Sequence, residues 1–348
     1  MSKFNIYKGR GLSGLHNLGN TCFINSCFQV LSHTYELNEF LDDEKLLCKK
    51  IKKNNDSILL LEWNELRKLM WSENCTISPK KFLTTIQKLS QIKNNGNFSG
   101  YMQNDIAEFF VFVLNCFHNS VSRKVTLRIT GNPENEIDKI AEKCYDLLYN
   151  IYLKEYSEIL EIFYGINVSI IRDLETDELI NYIPESFSML SLSIPTNIKN
   201  PSLYDCMDLY TECECLTGDN AITNEKTGKK INIKKCIQFF NFPNVLIIEI
   251  KRYHSTTKKN KTLVSFPLHN LNLSKYIIGY VAHEYIYDLY GICNHTGGMN
   301  GGHYFSYIKN VDNWYKMNDS SVLEISTDNI ITQNAYCLFY RKKETLSV

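Results

Sequence analysis

The chain changes its grammar at Gly165. Before that point apolar residues recur three and four positions apart. After it come β-branched and aromatic runs with partial alternation. A chain that writes helices first and antiparallel strands afterwards predicts an α+β fold. No Pro/Gly/Ser-rich linker divides the two halves and no internal repeat stands out, so one composite domain is expected even though 348 residues would allow two.

The helical part has several segments. Phe23, Ile24, Cys27, Phe28 and Leu31 form one stripe, and SILLLEWNELRKLMW (57–71) forms another. SPKKFLTTIQKL (78–89) offers a Ser cap followed by Pro at the first helical position. A further helix is expected from near Gln103 through DIAEFFVFVLNCFHN, and residues 136–163 read as one long helix or two joined ones. The strand candidates include INVSII, ELINYI, SFSMLSLSIP, KKINIKKCIQFF, VLIIEIKRY, EYIYDLYGIC and GHYFSYIKN.

Charge excludes some classes of partner. The 38 basic and 38 acidic residues cancel, which gives no electrostatic case for nucleic acid or an anionic membrane. The opening MSKFNIYKGRGLSG lacks an apolar core, so no secretory signal is read there. The longest apolar stretch, FFVFVLNCF, is far too short to span a bilayer. An intracellular protein is therefore expected, with most of its twelve cysteines reduced and buried as small hydrophobes.

One of those cysteines has unusual surroundings. In HNLGNTCFINSCFQVL (16–31), Cys22 opens an apolar helix behind Gly19, Asn20 and Thr21. Thr21 is a candidate N-cap, and amides at a helix start stabilise a thiolate, which predicts a depressed thiol pKa. Asn17 and Asn20 can lend side-chain amides to an oxyanion hole, a contribution of about 3–4 kcal/mol per donor.

A nucleophilic thiol needs a base. His303 stands behind Gly297, Gly298, Gly301 and Gly302 and ahead of an alternating strand, and NVDN (310–313) reads as the turn to a second strand, WYKM. If Asn310 faces Asn313, His303 falls opposite Ser320 and residue 318 shares its face diagonally. Asn318 then holds one imidazole nitrogen so that the other faces the thiol. A one-residue change of register brings Asp319 to that face instead. His295 lies only eight positions upstream, but CNHTGG reads as a mobile loop rather than the setting of a packed base.

Together these segments resemble the ubiquitin-specific protease family of cysteine deubiquitinases. GLHNLGNTCFINSCFQVL is similar to its Cys box, GYMQNDIAEFF to its glutamine–aspartate box and NFPNVLIIEIKRY to a core strand with Tyr253 where Phe is usual. YDLYGICNHTGGMNGGHYFSYI and WYKMNDSSV are similar to the His box and to the segment that follows it. The resemblance spans roughly 11–341. It implies a papain-like cysteine peptidase with a helical thumb (about 11–125), antiparallel β fingers with part of the palm (about 165–250) and a mixed palm carrying the His box (about 251–341).

The same resemblance implies hydrolysis of isopeptide or peptide bonds at the C-terminal glycine of ubiquitin through a thioester. It places Cys22 as nucleophile, His303 as base and acid, Asn318 (or Asp319 beside it) as its orienter and Asn17 at the oxyanion hole. Gln103, Asp105 and Tyr304 would contact the substrate tail, with Gly301 and Gly302 beside a narrow channel. Gln103 and Asp105 also suit N-terminal capping of the helix they precede. Ubiquitin and ubiquitinated proteins are the implied partners of a monomer.

One departure concerns metal. The family's finger zinc uses two CxxC pairs, and the matching segments here, SIIRDLETDELI and ITNEKTGKK, hold no cysteine; Asn224 and Thr227 occupy two ligand places. Cys213 and Cys215 are spaced too closely for a good chelate, and nothing sets the geometry of Cys206 and Cys236. No zinc and no other cofactor is expected. Three other readings compete: a protease for another ubiquitin-like modifier, a catalytically inactive ubiquitin-binding module, and a papain-like protease for unfolded proteins. The last is disfavoured by the long strand-rich insertion between Cys22 and His303.

Overall fold

The computed structural model describes residues 3–93, 96–100, 102–223, 228, 230–253, 258–298 and 301–344. The residues at Asn224 and Thr227 lie outside the described set.

A central sheet organises the molecule. Its strands run in the order Ser321–Ile325, Asn313–Asn318, Gly301–Asn310, Ile286–Gly298, Ala335–Lys342, Val245–Lys251 and Leu190–Ser193. A short strand, Leu271–Asn272, also pairs with Ile286–Gly298. Neighbours are antiparallel except Leu190–Ser193, which lies parallel to Val245–Lys251. The central strands are buried on both faces, which explains why VLIIEIK and AYCLFY read as continuous apolar runs rather than alternating ones.

One face of this sheet receives the helices. Cys22–Ser32 is buried along its whole length against it, and Asn55–Ser72, Lys80–Ile92 and Ile106–Val121 pack behind. Phe28, Trp63, Phe82 and Phe109 interlock at the centre of this layer with ring centroids 4.5–6.1 Å apart. The opposite face is covered by Leu203–Thr211 and the 264–287 segment through residues such as Leu203, Met207, Phe266 and Tyr276.

Helix boundaries follow local capping chemistry. Asn54 accepts from the Ser57 amide and starts its helix three residues before the apolar run begins to repeat. Lys80–Ile92 has Pro79 at its N-cap with no side-chain cap, so Ser78 does not serve as the cap expected from sequence. The 136–163 stretch is two helices, Glu136–Glu155 and Glu158–Phe163. Ser157 breaks it by turning its hydroxyl to cap the second. Two short helices, Tyr35–Asp42 and Glu44–Lys50, have no counterpart in the sequence reading.

A smaller lateral sheet, in the order Leu179–Phe187, Gly165–Asp173, Ile233–Asn241 and Glu214–Leu216, projects from the centre. Its own core is slight: Ile140, Ala141 and Cys144 of the Glu136–Glu155 helix meet Ile166, Val168, Ile170 and Phe240. Cys213 and Cys236 are joined there by a disulfide, a pairing not expected from the sequence, while the other ten cysteines are free. Cys22, Cys27, Cys116, Cys144, Cys206, Cys293 and Cys337 are free and buried.

A half-buried cation ties the helical layer to the last strand. Arg341 donates from Nε to Glu36 Oε1 (2.6 Å) and from Nη2 to the His33 carbonyl (2.9 Å). Its guanidinium is surrounded by the rings of Phe4, Tyr35 and Tyr290 at 4.9, 4.5 and 4.4 Å.

Candidate active site

Cys22 is the first residue of its helix, with Thr21 at the N-cap position. Thr21 does not cap, because its hydroxyl accepts from the Leu18 amide (2.9 Å) and bonds Asn17 Oδ1 (3.3 Å). The backbone amides of Cys22, Phe23 and Tyr304 lie beside the sulfur and favour its thiolate. Burial outweighs them, and the Asp319 carboxylate adds to it, so the thiol pKa is raised rather than depressed. The helix start contributes as expected, yet the resting sulfur is a neutral thiol.

Tyr304 immediately follows His303, so its amide beside Cys22 places the two distant segments together. His303 Nε2 lies 2.5 Å from Asn318 Oδ1. An amide oxygen only accepts, so Nε2 carries the proton and Nδ1 keeps the lone pair. The hairpin turn is in the expected register, with Asn310 opposite Asn313. The ladder nevertheless stops at Ser306–Met317, and Asn318 pairs with Ser321 across a second turn. Asp319 and Ser320 form that turn, Asp319 with a φ of 49°, so Ser320 does not stand across from His303 as a strand partner would.

The turn sends Asp319 away from the imidazole. Its carboxylate accepts from Asn17 Nδ2 (3.0 Å) and Asn25 Nδ2 (2.7 Å), and its carbonyl accepts from the Leu15 amide (2.9 Å). Asn17 Oδ1 meanwhile accepts from the Gly19 and Thr21 amides at 3.0 and 3.2 Å. The carboxamide is therefore fixed at both ends while its residue remains exposed, leaving one N–H for a ligand. Gly14 is pressed against the same turn: a Cβ there would lie 2.3 Å from the Ser320 carbonyl oxygen.

Asp105 caps Ile106–Val121, accepting from the Ala107 and Glu108 amides through Oδ1. The helix thus begins three residues after Gln103. Asp105 Oδ2 accepts from the Tyr336 hydroxyl (2.6 Å), which lies 3.2 Å from Glu249 Oε1. Gln103 faces Gly302: its Nε2 donates to the Gly302 carbonyl (2.6 Å) and its Oε1 accepts from the Gly302 amide (2.8 Å). Tyr304 is buried, and Gly301 lies exposed at the hairpin end.

His295 differs from the expected loop residue. It sits in Ile286–Gly298, 4 % exposed, opposite Tyr304 and with its ring 4.5 Å from that of Tyr304. Asn25, Asp319's second partner, carries no motif that marks it in the sequence. The available signal was its polarity inside an otherwise apolar helical run, where Asn is a poor helix former. Among the described residues, no group of three or more His, Cys, Asp or Glu side chains is arranged to hold a metal ion. Nor is any helix long and apolar enough to cross a membrane.

The family model described as ubiquitin carboxyl-terminal hydrolase matches residues 13–340. Human ubiquitin carboxyl-terminal hydrolase 2 is 35 % identical over 351 residues, covering 97 % of this chain and 56 % of that protein. The probable ubiquitin carboxyl-terminal hydrolase R319 of Acanthamoeba polyphaga mimivirus is 27 % identical, covering 96 % of this chain and 91 % of its own. This chain thus spans little more than half of the human relative's length. A solved SAGA module, Ubp8/Sgf11/Sus1/Sgf73 bound to ubiquitin aldehyde, superposes with a TM-score of 0.76 at 25 % identity. It covers 98 % of this chain and 72 % of the matched one. With this α+β architecture and a family match over nearly its whole length, the chain belongs to the ubiquitin carboxyl-terminal hydrolases.

Proposed function

We propose that the protein is a thiol deubiquitinase cleaving isopeptide or peptide bonds after the C-terminal glycine of ubiquitin. The observation that carries this reading is the meeting of Cys22 with the His303–Tyr304 segment while Asn318 fixes the imidazole tautomer. His303 Nδ1 takes the proton from the Cys22 thiol, and the sulfur attacks the glycine carbonyl. Because burial keeps the resting thiol protonated, the thiolate forms by transfer to His303 rather than by the helix start alone.

The oxyanion is met by the free N–H of Asn17 and the amides at the helix start. Asp319 acts through Asn17, holding its carboxamide in one orientation. The imidazolium returns its proton to the leaving amine, and water, deprotonated by the same ring, hydrolyses the thioester. Gly301 and Gly302, with Asp105 and Tyr304, are read as walls of the channel that takes the slim tail.

On this reading residues 11–341 form one catalytic domain: helices 11–125 as thumb, the lateral sheet within 165–250 as fingers, and 251–341 with the central sheet as palm. It works as an intracellular monomer without zinc. The bound ubiquitin aldehyde of the Ubp8 module supports ubiquitin as the ligand class. The test is labelling with ubiquitin and with other ubiquitin-like modifiers, each bearing a C-terminal electrophile. Ubiquitin is expected to label Cys22 and to fail with Cys22→Ala. Labelling by a different modifier alone overturns the substrate, and hydrolysis surviving in Cys22→Ala overturns the nucleophile.

A further inference from the structure

Gly302, the residue before the proposed base, is gripped from two sides. On one side Gln103 takes both of its backbone hydrogen-bonding groups, with Nε2 at 2.6 Å from its carbonyl and Oε1 at 2.8 Å from its amide. A side-chain amide that satisfies N–H and C=O of one residue imitates a neighbouring strand, and it does so here where the pairing with Asn313–Asn318 has already ended. On the other side lies the His295 ring. A Cβ on residue 302 would stand 2.2 Å from His295 Nε2 and 2.7 Å from the Thr296 carbonyl, so only glycine fits.

The His295 ring is itself pinned. Lys259 Nζ lies 3.1 Å from Nδ1 and also donates to the His295 carbonyl, and the Tyr253 hydroxyl lies 3.2 Å from Nδ1. With an ammonium against Nδ1, that nitrogen accepts and Nε2 bears the proton. Burial and the Lys259 charge push the His295 pKa down to about 4, so the ring stays neutral at neutral pH. It is not a second base. It is a rigid neutral plate under Gly302.

We propose that Gln103, His295 and Lys259 are positioning residues that hold Gly302 and thereby aim the His303 imidazole at Cys22. This rests on the assignment of Cys22 and His303 above. It gives Gln103 a role distinct from touching the substrate tail, since both ends of its amide are already engaged by the chain itself. The fixed residue is one peptide unit from His303, where a displacement of about 1 Å in the reacting geometry is enough to cost about a hundredfold in rate.

The experiment uses the full chain, with hydrolysis of a ubiquitin C-terminal aminocoumarin amide and alkylation of Cys22 by iodoacetamide, which needs no tail binding. Gln103→Ala and Lys259→Met are expected to lower kcat about 10- to 100-fold and leave KM within about threefold. Alkylation at pH 7 is expected to slow in parallel, while at high pH, where the thiolate forms unaided, it matches the parent. Lys259→Arg, which keeps a charged donor, should recover most of the loss. Gln103→Ala raising KM alone, with alkylation unchanged, assigns Gln103 to the tail and overturns the proposal. So does Lys259→Met turning over like the parent. Cys22→Ala and His303→Ala run alongside: if they abolish hydrolysis while the clamp variants do not, only the clamp is wrong. If His303→Ala keeps turnover, the site assignment itself falls.

Discussion

The junction between the helical layer and the central sheet, and the lateral sheet, are built by different means. At the junction half-buried polar groups are multiply engaged: Arg341 among three rings and Glu36, Asp319 between two asparagines, Gln103 on both groups of Gly302. The lateral sheet has a slight core and relies on strand pairing, an Arg172–Glu136 ion pair, Lys143 over the Tyr182 ring and one disulfide. Fixed polar geometry is concentrated around Cys22 and His303, and the lateral sheet is held by contacts that tolerate adjustment.

The largest break in this contrast should come from Arg341→Met. It leaves Glu36 half-enclosed without its cation, and urea unfolding should show a loss of about 3–5 kcal/mol. The same measurement on Arg172→Met, an exposed pair in the lateral sheet, should show under about 1 kcal/mol. Equal losses would erase the distinction.

Acid gives a second test. His33 is fully buried, donates from Nδ1 to the Gln29 carbonyl, and has its pKa pushed by burial from 6.5 to about 4. The unfolded chain therefore takes up this proton first. The stability it contributes is complete above pH 6.5 and is lost as the pH falls toward 4, roughly 3 kcal/mol across that window. The urea midpoint should drop between pH 7 and pH 4.5, and His33→Gln should flatten the drop. An unchanged slope would remove His33 from the account.

Asp319→Ala should reduce kcat about a hundredfold with a smaller effect on KM, because Asn17 loses the group that directs its free N–H. The smallest effect is expected at the disulfide. Cys236→Ser should speed amide exchange within residues 214–241 and change turnover of the aminocoumarin amide less than about twofold. A large loss of turnover there would show that the lateral sheet and the catalytic centre are mechanically joined.

Local signals in the sequence marked some of these features and missed others. Cys22 announces itself because a glycine turn and a helix start are adjacent in sequence, and the Asn310–Asn313 turn fixes a register that carries Asn318 to His303. The split roles of Asn318 and Asp319 depend on a second turn and on Asn17 and Asn25, some 300 positions away, which no local pattern encodes. His295 read as loop because its neighbours are small and polar. Its burial comes from Tyr304 on the neighbouring strand and Tyr253 just beyond the end of Val245–Lys251. The short helices at Tyr35–Asp42 and Glu44–Lys50 are below the length at which periodicity is decisive, and they form because Leu37, Leu41 and Leu47 find the core. Leu203–Thr211 has a legible start, since Ser202 and Asp205 make a capping box, but it is short and sits inside a strand-rich stretch.

The bridge from Cys213 to Cys236 also closes a ring whose inner part is paired into the lateral sheet and whose outer part carries the paired strands Ile222–Thr223 and Lys230–Ile231. Its two ends are pinned together at the root, so lengthening it costs only the slow logarithmic penalty of a larger ring. New residues grafted into that outer arc should leave the ladder inside the ring unaware of them.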